Sequence, residues 1–281
     1  MGFIEAIILG LIQGLTEFLP ISSSAHLLIV SKIMGHDAGA TFTAISQLGT
    51  ELAVIIYFRK DIARIIIKWF RHFGSSKGAH SVSITKDDPD VRLGWLIIIG
   101  TVPIVIVGFL AQDLIDTSLR SLWITAVVLI VFGLILGAAD LFGRKEKTLV
   151  TMTYRDGILI GIAQMLALIP GVSRSGATMT MGRALGYERP DAARYGFLLA
   201  IPAVFGSGLY KLAKSFSEPK GTYGLPETLV ATVVAFVVGY AVIAFLMQYI
   251  SKHSFLPFVI YRVVLGVVLL VVLSLGILQP L

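Results

Sequence analysis

The nine residues Pro170-Gly171-Val172-Ser173-Arg174-Ser175-Gly176-Ala177-Thr178 constrain this chain more than any other stretch. They follow an apolar run, Gly157 to Ile169, and precede a weaker helical pattern from Met179 to Leu185, so a polar break falls at what should be membrane depth. Hydrocarbon offers no partner to a freed backbone group, and such a break must be enclosed by protein or line a wet cavity. The break carries three hydroxyls, one guanidinium and two glycines, and glycine lets backbone N–H groups approach a ligand closely. A helix starting behind it adds the positive end of its dipole. This is the chemistry of an anion cradle, with phosphate the leading anion. The alternative, a re-entrant breaker whose serines only re-satisfy backbone, leaves Arg174 without a role.

Composition agrees with membrane depth. Hydrophobic residues make up 56% of the chain and charged residues 14%, which is the range of polytopic membrane proteins. At ~20 residues per span, 281 residues leave room for roughly six to eight spans. Cysteine is absent, which excludes disulfides, thiolate catalysis and Cys-based zinc sites. Met1 runs almost directly into an apolar helix with no basic n-region, so no cleavable signal is expected.

Apolar stretches fall near 3–19, 27–34, 41–58, 93–110, 121–142, 157–169, 179–186, 195–213, 227–250 and 255–278. The second and seventh are too short to cross ~30 Å of hydrocarbon, and each follows a polar break. The reading is an all-α polytopic membrane protein with one membrane domain over 1–281. Segments 3–34 and 157–186 form re-entrant helix pairs, each followed by three spanning helices. Matching Pro20 to Pro170 sets Ser23 against Ser173 and Ser24 against Arg174. Three spans are an odd number, so the second half (about 156–281) enters from the face opposite to the first (about 1–142). That predicts an inverted-topology repeat whose breaks meet near the midplane.

The net charge of +6 reads as orientation rather than as nucleic-acid binding. One face collects 16 basic residues, from Arg59, Lys60, Arg64, Lys68 and Arg71 through Arg194 to Lys252, against 5 on the other (Lys32, Arg120, Lys211, Lys214, Lys220). The richer face is cytoplasmic by the positive-inside rule, which turns both termini and the first break outward. Segment 59–92, acidic in its second half at Asp87, Asp88 and Asp90, is expected to be a solvated cytoplasmic connection.

The first break follows Gln13 and Glu17, which are four residues apart and share a helix face. An ionised carboxylate at that depth costs about 2.5–3.5 kcal/mol or more unless it meets a cation or water. Ser22, Ser23, Ser24 and His26 come next. Ser23 and His26 are close enough in a turn or helix start to hydrogen-bond, and with Glu17 they supply the composition of nucleophile, base and orienting group. A structural Glu17 and a packed interfacial His26 are the alternatives for each residue taken singly. The four other histidines, His36, His72, His80 and His253, are expected in solvated loops. Glu51 is expected to pair with Arg262 or to line the cavity, and Asp140 to be interfacial. No Walker-type loop or paired metal-binding histidines occur.

Both breaks resemble those of the bacterial undecaprenyl-diphosphate phosphatases of the bacitracin-resistance type. That family carries a Glu/Gln-x-x-x-Glu motif, here Gln13 to Glu17, then a Leu-Pro-x-Ser-Ser segment with a nearby histidine. Its second motif, Pro-Gly-x-Ser-Arg-Ser-x-x-Thr, is matched in full by 170–178. The resemblance runs through Gln47-Leu48-Gly49, Phe255-Leu256-Pro257-Phe258 and Tyr261-Arg262. Gln13 is the neutral choice at its position, and Glu51 stands where an apolar residue is expected. The resemblance implies hydrolysis of a C55 isoprenyl diphosphate to the monophosphate carrier of cell-wall synthesis, with a divalent cation, Mg²⁺ or Ca²⁺, taking part. It implies catalytic roles for Glu17, Ser23, His26 and Arg174, and substrate binding by Gln13, Ser22, Ser173, Ser175 and Thr178. Glu17 is the leading metal ligand, with the Gln13 carbonyl as helper. Ser23 or His26 would attack phosphorus; Ser23 as nucleophile with His26 as base is favoured. The implied setting is the bacterial inner membrane, with the site opening outward, the lipid diphosphate and the bilayer as partners, no nucleic acid, and room for a homodimer. A lipid-phosphate carrier or flippase is the rival function, and a membrane scaffold a more distant one.

Overall fold

A computed structural model of the chain describes residues 2–35, 37–73, 88–111, 121–216 and 222–279. His36, Lys77, His80, Lys86, Asp87, Arg120 and Lys220 lie outside the described residues. In chain order the helices are α1 (Gly2–Thr16), α2 (Ser23–Ile33), α3 (Gly39–Tyr57), α4 (Arg59–Phe73), α5 (Pro89–Leu110), α6 (Leu122–Phe142), α7 (Tyr154–Leu166), α8 (Arg174–Ala184), α9 (Arg189–Lys214), α10 (Leu225–Ile250) and α11 (Leu256–Ser274). A 3₁₀ turn at Leu149–Thr151 precedes α7. Among the described residues the only extended pairing is an isolated bridge between Lys147 and Tyr187.

Six helices, α3, α5, α6, α9, α10 and α11, are long and apolar enough to cross a membrane. They coincide with the six spans that hydropathy predicts, and the chain is a multi-pass membrane protein. Their outer faces expose Val127, Leu134, Val233, Val237, Val264 and Val267, as expected where the solvent is lipid. The four helices flanking the two breaks have 15, 11, 13 and 11 residues. At 1.5 Å per residue each is too short to span.

The helices after the breaks begin earlier than the apolar runs suggest. Side-chain caps, not hydropathy, set their starts. Ser22 Oγ accepts from Ala25 N and Ser173 Oγ accepts from Gly176 N, so Arg174 to Thr178 form the first turn of α8 rather than a loop. This also moves the expected register by one residue: the caps match Ser22 with Ser173, and hence Ser23 with Arg174.

Packing is closest where helices present no side chain. A Cβ on Gly161 of α7 would collide with the backbone of Gly100 on α5, so these two helices touch backbone to backbone, as small residues allow in membranes. The main buried cluster joins Phe18, Val54, Phe58, Phe197, Leu246 and Phe255. Phe18 and Phe197 meet edge to face at 5.5 Å.

Two expectations fail at the basic end. Segment 59–73 is not a solvated connection but helix α4. It buries Ile65 and sets Trp69 against Trp95 of α5 at 5.3 Å, while Arg64 and Lys68 pair with Asp90 and Asp88. Ile66, Ile67 and Phe70 remain exposed, so the helix is amphipathic, and its charges mask that period in a hydropathy window. His72 therefore sits on a helix, whereas His253 is in a turn. Asp140 is not interfacial either. Only 6% exposed, it accepts from Arg183 Nε (3.0 Å), Arg189 Nε (2.6 Å) and Phe255 N (3.0 Å), which ties α6, α8, α9 and the start of α11 together. Nearby, burial and the Asp156 carboxylate push the Tyr187 hydroxyl well above the ordinary tyrosine range.

Candidate functional site

The two breaks lie side by side. Arg262, fully buried on α11, donates from Nη1 to the carbonyls of Pro20 (3.2 Å) and Val172 (3.0 Å), from Nη2 to Gly171 (2.8 Å) and from Nε to Leu129 (3.2 Å). One guanidinium thus satisfies backbone acceptors of both breaks that lipid could not. Gly171 has φ of +100° and would drive a Cβ towards the Thr125 carbonyl, so the turn requires glycine. Arg262 does not pair with Glu51, as the sequence allowed. Its partners are backbone oxygens.

Glu17 is the centre of the polar cluster. Its backbone still closes the last turn of α1, with N–H donating to Gln13 O at 3.0 Å. Its Oε2 accepts from Gln13 Nε2 (2.7 Å) and from Ser23 Oγ (2.6 Å), and its Oε1 pairs with Arg174 Nη2. Three donors thus converge on one buried carboxylate. Arg174 occupies the first position of α8, so its guanidinium lies beside a helix N-terminus. Its Nη1 and Nε have no protein partner among the described residues. Ser175 Oγ reaches back to the carbonyls of Glu17 (3.3 Å) and Leu19 (3.1 Å).

The structure does not bring Ser23 and His26 together as the sequence suggested. Nδ1 of His26 faces the Ser22 carbonyl at 2.7 Å and must therefore carry a proton there. Nε2 meets the Tyr261 hydroxyl at 2.6 Å, with the two rings stacked 5.6 Å apart. The imidazole looks towards α11, and Ser23 donates to Glu17 instead. Ser22 and Ser173 turn their hydroxyls onto backbone as caps, each 3.1 Å from a second serine, Ser24 and Ser175 respectively. Thr178 is 1% exposed and donates within α8, to the carbonyls of Arg174 (3.0 Å) or Ser175 (3.2 Å).

A small cavity opens beside this cluster, lined by Glu17, Phe18, Glu51, Val54, Arg174, Ser175, Gly196, Phe197 and Ala200. Glu51, of the two options the sequence left, lines the cavity. Two buried oxygens at the cluster, Gln13 Oε1 and Glu51 Oε1, have no hydrogen-bond partner among the described residues. Among the described residues no group of three or more His, Asp or Glu side chains forms a ready metal cage. The roles of Arg262 and Tyr261 were not legible in the sequence. Tyr261 stands 235 residues from His26, and Arg262 stands 90 to 242 residues from the carbonyls it bonds; a carbonyl partner leaves no signature in sequence.

Comparison with known proteins gives consistent matches. A family model described as "Bacitracin resistance protein BacA" matches residues 6–268. The undecaprenyl-diphosphatase of Clavibacter michiganensis subsp. michiganensis is 62% identical over 276 residues, covering 98% of each chain. That of Micrococcus luteus is 60% identical over 283 residues, covering 99% of this chain and all of the relative. That of Thermobifida fusca is 53% identical, covering 100% of this chain and 93% of the relative.

Proposed function

Since the chain belongs to the bacitracin resistance protein BacA family, we propose that it hydrolyses undecaprenyl diphosphate to undecaprenyl phosphate and inorganic phosphate, recycling the lipid carrier for cell-wall synthesis and conferring bacitracin resistance. The observation that carries the chemistry is the meeting of Ser23 Oγ and Arg174 Nη2 on the two oxygens of one carboxylate, Glu17. A carrier would need the cationic clamp but not a hydroxyl aligned on a base.

Phosphoryl transfer is mainly positioning and charge neutralisation. The guanidinium edge of Arg174 that is not turned to Glu17 presents two parallel N–H donors to phosphate oxygens, and the α8 N-terminus adds its dipole. Ser23 Oγ attacks the terminal phosphorus; the Oγ–P bond forms as the anhydride P–O bond breaks, and the lipid monophosphate leaves. The hydroxyl proton passes to Glu17 Oε2, which already accepts it, so Glu17 rather than His26 is the better-placed base. Water then attacks the phosphoserine, the Oγ–P bond breaks, the proton on Glu17 returns to Oγ, and phosphate departs with the protons of that water. His26, its Nδ1–H fixed by the Ser22 carbonyl, orients the start of α2 against Tyr261.

A divalent cation, Mg²⁺ or Ca²⁺, fits the donors present. Glu17 and the unpartnered Gln13 Oε1 are hard oxygen ligands, and Mg²⁺ commonly takes one or two carboxylates plus substrate phosphates. When bound it would supply neutralisation of phosphate charge.

The two breaks belong, in this reading, to re-entrant pairs of an inverted repeat in the bacterial inner membrane, with the site open to the outer face. The shared cap geometry of Ser22 and Ser173 supports the repeat, and the positive-inside bias supports the orientation. Purified protein in detergent should release inorganic phosphate from C55 isoprenyl diphosphate. Binding of that lipid with no phosphate release would favour the carrier instead.

A further inference from the structure

Glu51 is a buried carboxyl group that the proposed chemistry does not use. It lies on α3, is 1% exposed, and its Oε1 has no hydrogen-bond partner among the described residues. It faces the same cavity as Glu17 and Arg174, between the apolar walls of Phe18, Val54 and Phe197. The one guanidinium there is already matched by Glu17, and Gln13 brings no charge. With both carboxylates ionised the cavity is one positive charge short, and an uncompensated carboxylate at this depth must meet a cation or become neutral. A purely structural role would give the side chain a donor, as Asp140 has in Arg183 and Arg189. Glu51 has none among the described residues, and it lines the same cavity as Arg174 and Ser175 of the phosphate cradle.

We propose that Glu51 is a metal ligand of this site, the second carboxylate that together with Glu17 binds a divalent cation at the mouth of the phosphate cradle. This rests on the hydrolase reading above. Glu17, Glu51 and the Gln13 carbonyl form an all-oxygen set suited to a hard cation, with the remaining positions left for water and phosphate. The two carboxylates come from helices before and after the first break, so the cation also fixes α3 against α1.

The test is binding of Mn²⁺ alone, followed by electron paramagnetic resonance on purified protein in detergent, beside the melting temperature with and without Ca²⁺. The wild type is expected to bind one ion and to gain stability from Ca²⁺. Glu51→Gln should weaken Mn²⁺ by at least the roughly 10–100-fold that losing even an outer-shell partner costs, and lose the Ca²⁺ stabilisation. Its metal-free melting temperature should stay level or rise, because a buried carboxyl without a donor has gone. Glu51→Asp, which keeps the charge on a shorter stem, should fall between the two. Wild-type affinity for Mn²⁺ in Glu51→Gln overturns the proposal and leaves the hydrolase reading standing. So does a wild type that releases phosphate yet binds no Mn²⁺. A lower metal-free melting temperature in Glu51→Gln with Mn²⁺ affinity unchanged would assign Glu51 to structure.

Discussion

Ser22 and Ser173 hold the same unusual backbone conformation, with φ of 75° and 71°. They are the only described residues other than glycine with positive φ, and each caps an 11-residue helix. A left-handed residue with a Cβ costs roughly 1–2 kcal/mol, while losing a serine N-cap to alanine costs about 0.5–2 kcal/mol and to glycine only a few tenths. The two effects therefore oppose each other in a glycine substitution, whereas in an alanine substitution only the loss of the cap acts. Ser173→Gly should melt at or above the wild-type temperature, because relief of strain outweighs the weaker cap. Ser173→Ala keeps the strain, loses the cap, and should melt lower. Thermal unfolding of both variants in detergent decides the matter, and equal melting temperatures would show that neither cap nor φ is contributing.

Arg174→Lys separates a two-pronged phosphate contact from charge alone. Lysine offers a compact, strongly hydrated point donor in place of a planar fork. The expected loss is about 2–4 kcal/mol of transition-state stabilisation, roughly 10²–10³ in kcat, with melting temperature little changed. If Arg174 only braces Glu17, activity should instead fall in step with folded protein. Measuring kcat and melting temperature on the same preparation reads both.

How much of this was legible in the sequence depends on the kind of partner a residue has. Glu17, Ser23 and Arg174 were legible because their residue types are out of place in apolar runs, and the six spans because hydropathy integrates over ~20 residues. Helix α4 was hidden because Arg59, Lys60, Arg64, Lys68 and Arg71 depress the average, although Ile62, Ile65, Ile66 and Trp69 recur at helical spacing. The Asp140 cluster joins residues 43 and 49 apart, and Arg262 bonds carbonyls. Neither has a local pattern. The one-residue error in matching the breaks came from aligning prolines, whereas serine caps fix where the helices start. The Ser23–His26 pair was suggested by spacing alone, and Tyr261, distant in sequence, captures the imidazole.

Orientation is readable with single cysteines, since the chain has none. Arg71 on α4 and Thr222 before α10 are both exposed. In intact cells Arg71→Cys should be shielded from an impermeant thiol reagent and Thr222→Cys labelled, as the basic asymmetry dictates. The opposite pattern would place the cavity beside Glu17 on the other side of the membrane.

The central claim is that Ser23, aligned on Glu17 at 2.6 Å, takes the phosphoryl group from the lipid. Substrate labelled in its terminal phosphate, mixed with enzyme and quenched during turnover, captures the covalent species. The account predicts label on Ser23, stable in acid and released by alkali, and absent in Ser23→Ala at unchanged melting temperature. Acid-labile label on His26, or phosphate release at wild-type rate by Ser23→Ala, would contradict it.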